Sequence, residues 1–387
     1  MHALLDYRKK YRVTLWHINH GLQENADVMQ QFASLLAQKY DVEFKLDILK
    51  LDRDAGNLEA RARHKRYEIF SHALLPTDAL LTAHHMNDQA ETLLLNLMRG
   101  SGPAGLRAIA SQNTIGNGTL FRPLLNTSRS QIEQYAKTHN LKWVEDISNQ
   151  DSCFDRNYLR HNILPLMLNR WPATIQQLHR ASELQNDAEV LQTELAQLDL
   201  KLTGDRHLFS SYLVLNIATL NELSSVRQRN LIRYWLSNAG FTAVGYNKIQ
   251  ELIRQLANSA STLTLDGNGY QIKLFRSQLF IVQHLNLKLN ERYFVKDDQA
   301  LEIPELEIKM SRVSLLNYIK KQDNGQELSI HFRSTGDHGK QNRHSHSLKR
   351  MFQKFCVPPW LRDSCPQIFV DNNLVALLLP ENHSEGS

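Results

Sequence analysis

HHMNDQAET, residues 84–92, is the stretch from which the fold can be worked out. It follows a short apolar run at 79–84 that is typical of a strand, and it leads into residues 87–98, whose apolar spacing is helical. Two imidazoles, two carboxylates, two amides and a hydroxyl therefore meet at one strand-to-helix junction. Because open parallel sheets bind their ligands at such junctions, the stretch predicts both a sheet edge and a site.

The same step from strand to helix occurs twice upstream. Residues 11–19 predict a strand and 24–40 a helix, and the pattern returns with a strand at 42–49 and a helix at 57–74. A further helix is predicted at 128–138, opened by a capping box of Ser128 and Gln131. Strands that alternate with helices of this length predict an α/β fold with a parallel sheet covered on both faces.

The pattern changes after position 172, and three domains are predicted: 1–172, a mainly helical one at 173–290, and a small α+β one at 301–387. The middle domain should contain a long helix through 181–198, helices at 223–239 and 247–257, and a β meander at 262–282. The last domain should contain a strand at 328–332, a helix at 347–355 and a hairpin at 368–379.

Composition excludes several classes of protein. Three cysteines without a C-x-x-C pair argue against a secreted disulfide framework and against a cysteine-ligated metal site. The cysteine usage fits the reducing cytoplasm best. No apolar run is long enough to span a bilayer, so a soluble protein is predicted. The net charge is +5, and seven Lys and Arg residues lie between positions 329 and 362, which favours a polyanionic partner.

Two groups of charged residues are candidates for chemistry. Glu59, Arg63 and Arg66 share one face of the predicted helix that follows a strand, where phosphates commonly bind, although a solvated salt-bridged face is an equally good explanation. Asp88 and Glu91 share a face of the next helix, where they would also suit the helix dipole. The two histidines and Asp88 have no further ligand from a separate part of the sequence, so no dedicated metal site is predicted. Mg²⁺ that arrives with a nucleotide could use Asp88.

Taken together, the motifs resemble one family, the bacterial tRNA(Ile)-lysidine synthetases, which belong to the N-type ATP pyrophosphatases or PP-loop proteins. The likeness runs nearly from end to end. The matching segments are 17–22, 56–67, 84–92, 99–106, 122–125, 146–160, 347–352 and 357–362. The resemblance implies a parallel-sheet, adenine-nucleotide alpha-hydrolase-like domain, followed by a helical middle domain and a small C-terminal domain that both bind tRNA.

The resemblance also implies a reaction. ATP would adenylate the wobble cytidine of a tRNA(Ile) with a CAU anticodon, and the side-chain amine of L-lysine would then displace AMP, so that the tRNA reads AUA instead of AUG. ATP and Mg²⁺ are implied, and a homodimer is allowed. Catalytic roles would fall on Asp88, Glu91 and Arg63. ATP or lysine would be bound by His17, Asn19, His20, Glu59, Arg66, His84 and His85, and nucleotide or tRNA by Arg122, Asn149, Arg156, Asn157, Arg160, Lys349, Arg350 and Arg362.

One departure from the family pattern affects the expected activity. The family opens with a strand and a Ser-Gly-Gly-x-Asp-Ser loop whose amides bind pyrophosphate, and the 387 residues contain no such loop. Residues 1–5 would then be part of the helix after the loop, and the central strand of the sheet would be missing. Either the start of the sequence is assigned too late or this is a truncated form. A catalytically impaired, tRNA-binding fragment of the family is therefore an alternative to an active ligase. A different ATP-dependent tRNA modifier, such as a thiolase without cysteines, is a third hypothesis that the C-terminal segment at 357–362 disfavours.

Overall fold

The computed structural model describes residues 1–19, 21, 26–49, 58–145, 154–242, 244–257, 263–283, 292–295, 300–303, 306, 308–332 and 345–379. For residues 58–60 and 345–347 it describes the backbone only. The chain divides into two compact units, 1–191 and 192–387. The three-domain division stays a prediction.

The first unit opens with a 3-10 helix at His2–Lys9, in the region expected to be helical. Its other elements are β1 (Thr14–Asn19), α1 (Ala26–Lys39), β2 (Glu43–Ile48), α2 (Leu58–Ala73), β3 (Ala79–Leu81), α3 (Met86–Met98), α4 (Pro103–Leu106), β4 (Gln112–Ile115), β5 (Gly118–Phe121), α5 (Arg129–Thr138), α6 (Asp155–Tyr158), a π-helical turn at Leu159–Ile163, α7 (Leu164–Arg170) and the first half of α8 (Thr174–Thr203).

The strands of this unit form two ladders. β1 pairs in parallel with β2, and β3 pairs in parallel with β5, which confirms the predicted parallel pairing. The second ladder also contains β4, antiparallel to β5, and this hairpin was not predicted. Its strands have four residues each, too few for a clear alternation of apolar side chains, and its turn relies on Gly116 at φ 54°.

Helix α3 carries the stretch from which the sequence analysis started. His85, in extended backbone, caps its N-terminus, and Asp88 Oδ2 accepts the His85 backbone N–H at 2.8 Å. Further along the helix, Ala90 and Leu94 are buried against Leu164 of α7. The cap and this apolar contact fix the start and the orientation of the helix, so Asp88 and Glu91 are held on a supported framework.

The second unit begins with the end of α8 and is built from two sheets and several helices. Its elements are β6 (Gly204–Asp205), β7 (Val214–Asn216), α9 (Ile217–Glu222), α10 (Ser225–Asn238), α11 (Tyr246–Ala257), β8 (Thr264–Asp266), β9 (Tyr270–Phe275), β10 (Gln278–Gln283), β11 (Arg292–Phe294), β12 (Leu301–Ile303), β13 (Ile308–Met310), α12 (Arg312–Tyr318), β14 (Leu328–His331), α13 (Ser345–Lys354), a 3-10 turn at Pro359–Leu361, β15 (Gln367–Val370) and β16 (Asn373–Leu377).

Three hydrophobic clusters of described residues stabilise this unit. One surrounds Trp235 of α10 and Tyr270 of β9, which are 2% and 0% exposed, a second lies behind the antiparallel sheet β11-β14-β15-β16, and a third surrounds Phe352 and Val357. The predicted meander and the predicted hairpin at 368–379 are confirmed, the hairpin turning at Asp371 and Asn372 with left-handed backbone. Among the described helices, none combines the length and the apolarity of a membrane span.

Candidate active site

Two carboxylates on α3 and two guanidinium groups from the helical segment at 155–163 form one cluster. Arg156 donates from Nε to Glu91 Oε2 and from Nη2 to Asp88 Oδ1, both at 2.7 Å. Arg160 donates from Nε to Glu91 Oε1 at 2.7 Å and from Nη2 to Glu91 Oε2 at 2.9 Å. The structure thus joins four predicted site residues that are up to 72 positions apart in the sequence.

Burial of this cluster costs free energy, because its charged groups lose their hydration. The side chain of Glu91 is 1% exposed, while those of Arg156 and Arg160 are 30% and 22% exposed. A buried carboxylate is tolerated because charged donors saturate its oxygens. The hydrogen bond to Glu91 raises the pKa of Arg160, and the nearby charges of Glu91 and Asp88 act in the same direction. The two positive and two negative charges are balanced.

His84 lies beside this cluster. Its Nδ1 is 2.9 Å from the hydroxyl of Thr82, a residue that the sequence analysis did not select. Burial, with a smaller contribution from the positive charges of Arg122, Arg63 and Arg156, lowers the pKa of His84 to about 4 against the opposing effect of Asp88. The imidazole is therefore neutral at pH 7 and acts as a polar group rather than as a cation.

His85 has a different environment from its neighbour. Its Nδ1 lies 3.5 Å from Asp88 Oδ2 and has no hydrogen-bond partner among the described atoms. Burial is again the main reason that its pKa is lowered. His85 also lines a small open pocket whose polar side includes Glu91 and Arg160 and whose apolar side includes Leu164 and Leu168. The pocket offers an apolar wall next to the buried charges.

Three further arginines lie near His84 or adjoin one another. Arg63 and Arg66 both approach the ring of Tyr67, and burial, together with the charge of Arg63, lowers the pKa of Arg66. Arg122 is 6% exposed, and its Nε has no hydrogen-bond partner among the described atoms. No described carboxylate lies within ion-pair distance of these three guanidinium groups. Such an arrangement is suited to an anionic ligand.

Asn87 and Gln89 of α3 connect the site to its surroundings. Neither residue was predicted to have a role in the site. Asn87 Oδ1 accepts the backbone N–H of Arg129 at 3.0 Å, which ties the start of α5 to the start of α3. Gln89, 5% exposed, pairs with the backbone of Ile109. Both lie inside HHMNDQAET, but their partners are remote in the sequence, so local spacing could not reveal their roles.

The remaining predicted residues of this unit are less closely connected to the cluster. His17 is on β1, and burial alone lowers its pKa. Asn19 is 6% exposed and uses its amide within the fold, donating to Gln30 Oε1 and accepting from the backbone N–H of Gly21, both at 2.8 Å. Asn157 is half-buried on α6, next to Arg156. His20, Asn149 and the side chain of Glu59 lie outside the described residues.

The predicted tRNA-binding residues at the end of the chain belong to the second unit. Lys349 and Arg350 are exposed on α13. Arg362 is half-buried; it donates from Nε to the carbonyl of Val357 at 3.2 Å, and its guanidinium lies 5.7 Å from the ring centroid of Phe352. Arg362 thus has a packing role in addition to its charge.

The donor set does not fit a resident Mg²⁺ ion. Among the residues that the structure describes, no group of three His, Cys, Asp or Glu side chains could hold a metal ion. Asp88, the candidate ligand, already accepts from the His85 backbone N–H and from Arg156. A cation at this position would have to displace a guanidinium group, so no chemical step is assigned to a protein-bound metal.

Three family models match the chain. The PP-loop domain matches residues 1–167, the TilS substrate binding domain 215–280 and the TilS substrate C-terminal domain 328–378. The tRNA(Ile)-lysidine synthase of Pectobacterium atrosepticum is 35% identical over 97% of this chain and 86% of the relative. That of Serratia proteamaculans is 34% identical over 98% and 87%.

More distant relatives give the same result, and a solved structure adds little. The tRNA(Ile)-lysidine synthase of Coxiella burnetii is 31% identical over 98% of this chain and 85% of the relative. The U34-tRNA thiolase NcsA from Methanococcus maripaludis with its 4Fe-4S cluster overlaps with a TM-score of 0.41 and 18% identity, covering 48% of this chain and 66% of that one. At this score the overlap carries no argument, whereas the α/β assignment of the first unit agrees with the PP-loop match.

Proposed function

Because the chain belongs to the tRNA(Ile)-lysidine synthase family, we propose that it attaches L-lysine to a tRNA(Ile) with a CAU anticodon. The family is one of ligases, and the PP-loop match implies the use of ATP. The proposed product has the lysine side-chain nitrogen bound to C2 of the wobble cytidine, with AMP and pyrophosphate released. The cytoplasm, which contains both ATP and tRNA, is the proposed location.

One observation supports this proposal more than any other. A charge-balanced cluster of two carboxylates and two arginines adjoins His84, and Arg63 and Arg122 act on the same imidazole without a described acidic partner. Such a site offers cations to a triphosphate, and its carboxylates can accept an amine once the nucleotide or the tRNA has drawn Arg156 or Arg160 away from them. These charges suit ATP and lysine, two of the three reactants.

The first step requires stabilisation of negative charge. The C2 oxygen of the cytidine attacks the α-phosphorus of ATP, and the bond to pyrophosphate breaks. Charge grows on the pyrophosphate oxygens, and we assign Arg63, Arg66 and Arg122 to them because fixed guanidinium groups bind phosphate oxygens in a bidentate way. Mg²⁺ enters the proposal only as the ion that accompanies ATP. Neutral His84 can supply a hydrogen bond without adding charge.

The second step requires a free amine. The lysine nitrogen attacks C2, the bond from C2 to the AMP oxygen breaks, and one proton leaves the nitrogen. Asp88 and Glu91 are the acidic groups assigned to the lysine, and which of them takes the proton is left open. Arg156 and Arg160, with Asn157 and Asn149, are assigned to the nucleotide and the tRNA. The apolar side of the pocket beside Glu91 is suited to the methylene chain of lysine.

Transfer of radiolabelled lysine tests the function. The chain is incubated with ATP and labelled lysine, and with either tRNA(Ile) carrying CAU or the same tRNA carrying GAU as a matched control. We expect incorporation that requires ATP and the CAU anticodon and that is abolished by Glu91→Gln. The Arg12→Met variant, which loses only an exposed pair with Glu43, should behave as wild type. Binding of the tRNA without incorporation or pyrophosphate release would instead support the alternative, a tRNA-binding protein without ligase activity.

The proposal leaves open whether the chain forms a homodimer, and sedimentation of the free chain distinguishes a dimer from a monomer.

A role for the second unit in holding tRNA is the last part of the proposal. Lys349 and Arg350 are exposed on α13, in a basic segment of the chain. Each phosphate contact that is lost should reduce the slope of log affinity against log salt concentration by about 1. The double variant Lys349→Gln/Arg350→Gln should therefore bind tRNA more weakly and with a slope that is smaller by about 2. An unchanged slope would assign the tRNA contact to another surface.

A further inference from the structure

Gln89 is a polar residue whose side chain is buried. It lies on α3 between Asp88 and Glu91 and is 5% exposed. Its side-chain amide forms a closed pair with the backbone of Ile109: Nε2 donates to the carbonyl at 2.8 Å, and Oε1 accepts from the N–H at 2.6 Å. Both ends of the amide are used, so the position of this backbone segment is fixed relative to the site helix.

The residue after Ile109 contacts Arg122. The carbonyl of Ala110 accepts from Arg122 Nη1 at 2.6 Å, and the backbone N–H of Arg122 donates to the carbonyl of Ser111 at 2.9 Å. Arg122 is 6% exposed, and its Nε is without a partner among the described atoms. The guanidinium is therefore held at one nitrogen by a backbone carbonyl, and this contact limits the directions in which the rest of the group can point.

We propose that Gln89 is a positioning residue that orients Arg122 through residues 109–110. The inference rests on the proposed function, in which Arg122 binds the phosphates of ATP. Gln89 fixes the Ala110 carbonyl, and that carbonyl sets the direction of the Arg122 side chain, which lies close enough to His84 to lower its pKa. Without the amide pair, the segment is free to shift, and the guanidinium loses the orientation that a bidentate phosphate contact requires.

A matched control is available in the same helix. Asn96 Nδ2 donates to the carbonyl of Gly105 at 2.8 Å, so it also ties α3 to the segment that precedes β4, but five residues before Ala110. Gln89→Met removes the tie near Arg122, and Asn96→Met removes the other one. A purely structural role predicts similar effects of the two substitutions on ligand binding.

Equilibrium binding of radiolabelled ATP and of labelled lysine to the full chain tests the inference, with Arg122→Met as the reference. We expect Arg122→Met to weaken ATP binding about tenfold or more, consistent with the loss of a charge-assisted contact. Gln89→Met should weaken ATP binding at least fivefold and leave lysine binding within twofold. Asn96→Met should leave both within twofold, and Gln89→Met/Arg122→Met should bind ATP no more weakly than Arg122→Met alone.

The outcomes separate the two levels of the proposal. If Arg122→Met weakens ATP binding but Gln89→Met does not, or if the two effects add in the double variant, the positioning role of Gln89 is wrong while the phosphate role of Arg122 stands. If Arg122→Met leaves ATP binding unchanged, the phosphate role fails and the inference fails with it. Hydrogen exchange at the Ile109 amide, which should be faster in Gln89→Met only, shows whether the segment has been released.

Discussion

The pair of Glu91 and Arg160 gives the sharpest test of the structure, because it does not require activity. Glu91 is replaced by Gln, Arg160 by Gln, and then both, in a double-mutant cycle. Glu91 accepts three hydrogen bonds from two guanidinium groups, two of them from Arg160. Removing its charge leaves Arg160 Nη2 at 3.8 Å from Asp88 Oδ1 as its nearest acidic contact among the described residues.

The expected magnitude follows from burial. Breaking a fully buried ion pair by removing one partner costs about 3–5 kcal/mol. Since the side chain of Arg160 is 22% exposed, it recovers part of its hydration, and we expect Glu91→Gln to cost about 3 kcal/mol. Arg160→Gln should cost about 2 kcal/mol, because Glu91 retains Arg156. The double variant should lose about 3 kcal/mol, which gives a coupling free energy of about 2 kcal/mol.

Urea-dependent hydrogen exchange of the peptide that covers α3 provides the assay, because it reports on this helix rather than on the second unit. The exposed pair of Arg12 and Glu43, with side chains 83% and 46% exposed, supplies a control cycle whose coupling should be much smaller. If the Glu91–Arg160 coupling were as small as that of the control, the buried cluster would not be what holds α3 against the segment at 155–163.

Two further predictions concern a titrating group and a turn. The pKa of His84 is about 4 in the folded chain and near 6.5 when the chain is unfolded, so the free energy of unfolding should fall as the pH drops from 6.5 to 4. The expected loss is about 1–2 kcal/mol after allowance for partial solvation. Nuclear magnetic resonance titration of His84 checks this, and a midpoint above pH 6 would contradict it. Gly116→Ala should lower the free energy of unfolding by at least about 2 kcal/mol more than Gly100→Ala does. Both glycines have positive φ, but only at Gly116 would a Cβ lie 1.9 Å from the Ser71 carbonyl oxygen. Equal losses of stability in thermal unfolding would refute the clash.

The sequence predicted the elements that depend on local patterns. Helix α3 was expected at 87–98 and is found at Met86–Met98, and the capping box of Ser128 at the start of α5 is present. Apolar spacing and caps act within a few residues, so they can be read directly. The short hairpin β4–β5 escaped because its strands are too brief for periodicity.

For the candidate cluster, the sequence indicated residue types but not their contacts. Asp88 and Glu91 were expected on one face of a helix, and they lie there. The sequence could not show that Arg156 and Arg160 cover them, nor that Asn19 is used within the fold. Side chains of the same type serve a ligand or a neighbouring backbone group, and only the folded chain distinguishes the two cases.

The ion cluster also constrains how the chain acquires its shape. The partners of Glu91 lie 65 and 69 residues further along the chain, so their contacts close a long loop. Until synthesis has passed residue 160, a nascent α3 has a carboxylate that stays hydrated and cannot be sealed into the interior. Completion of this unit should therefore be a late, non-local event, and a polypeptide released before residue 155 should leave α3 poorly protected and exposed to proteases.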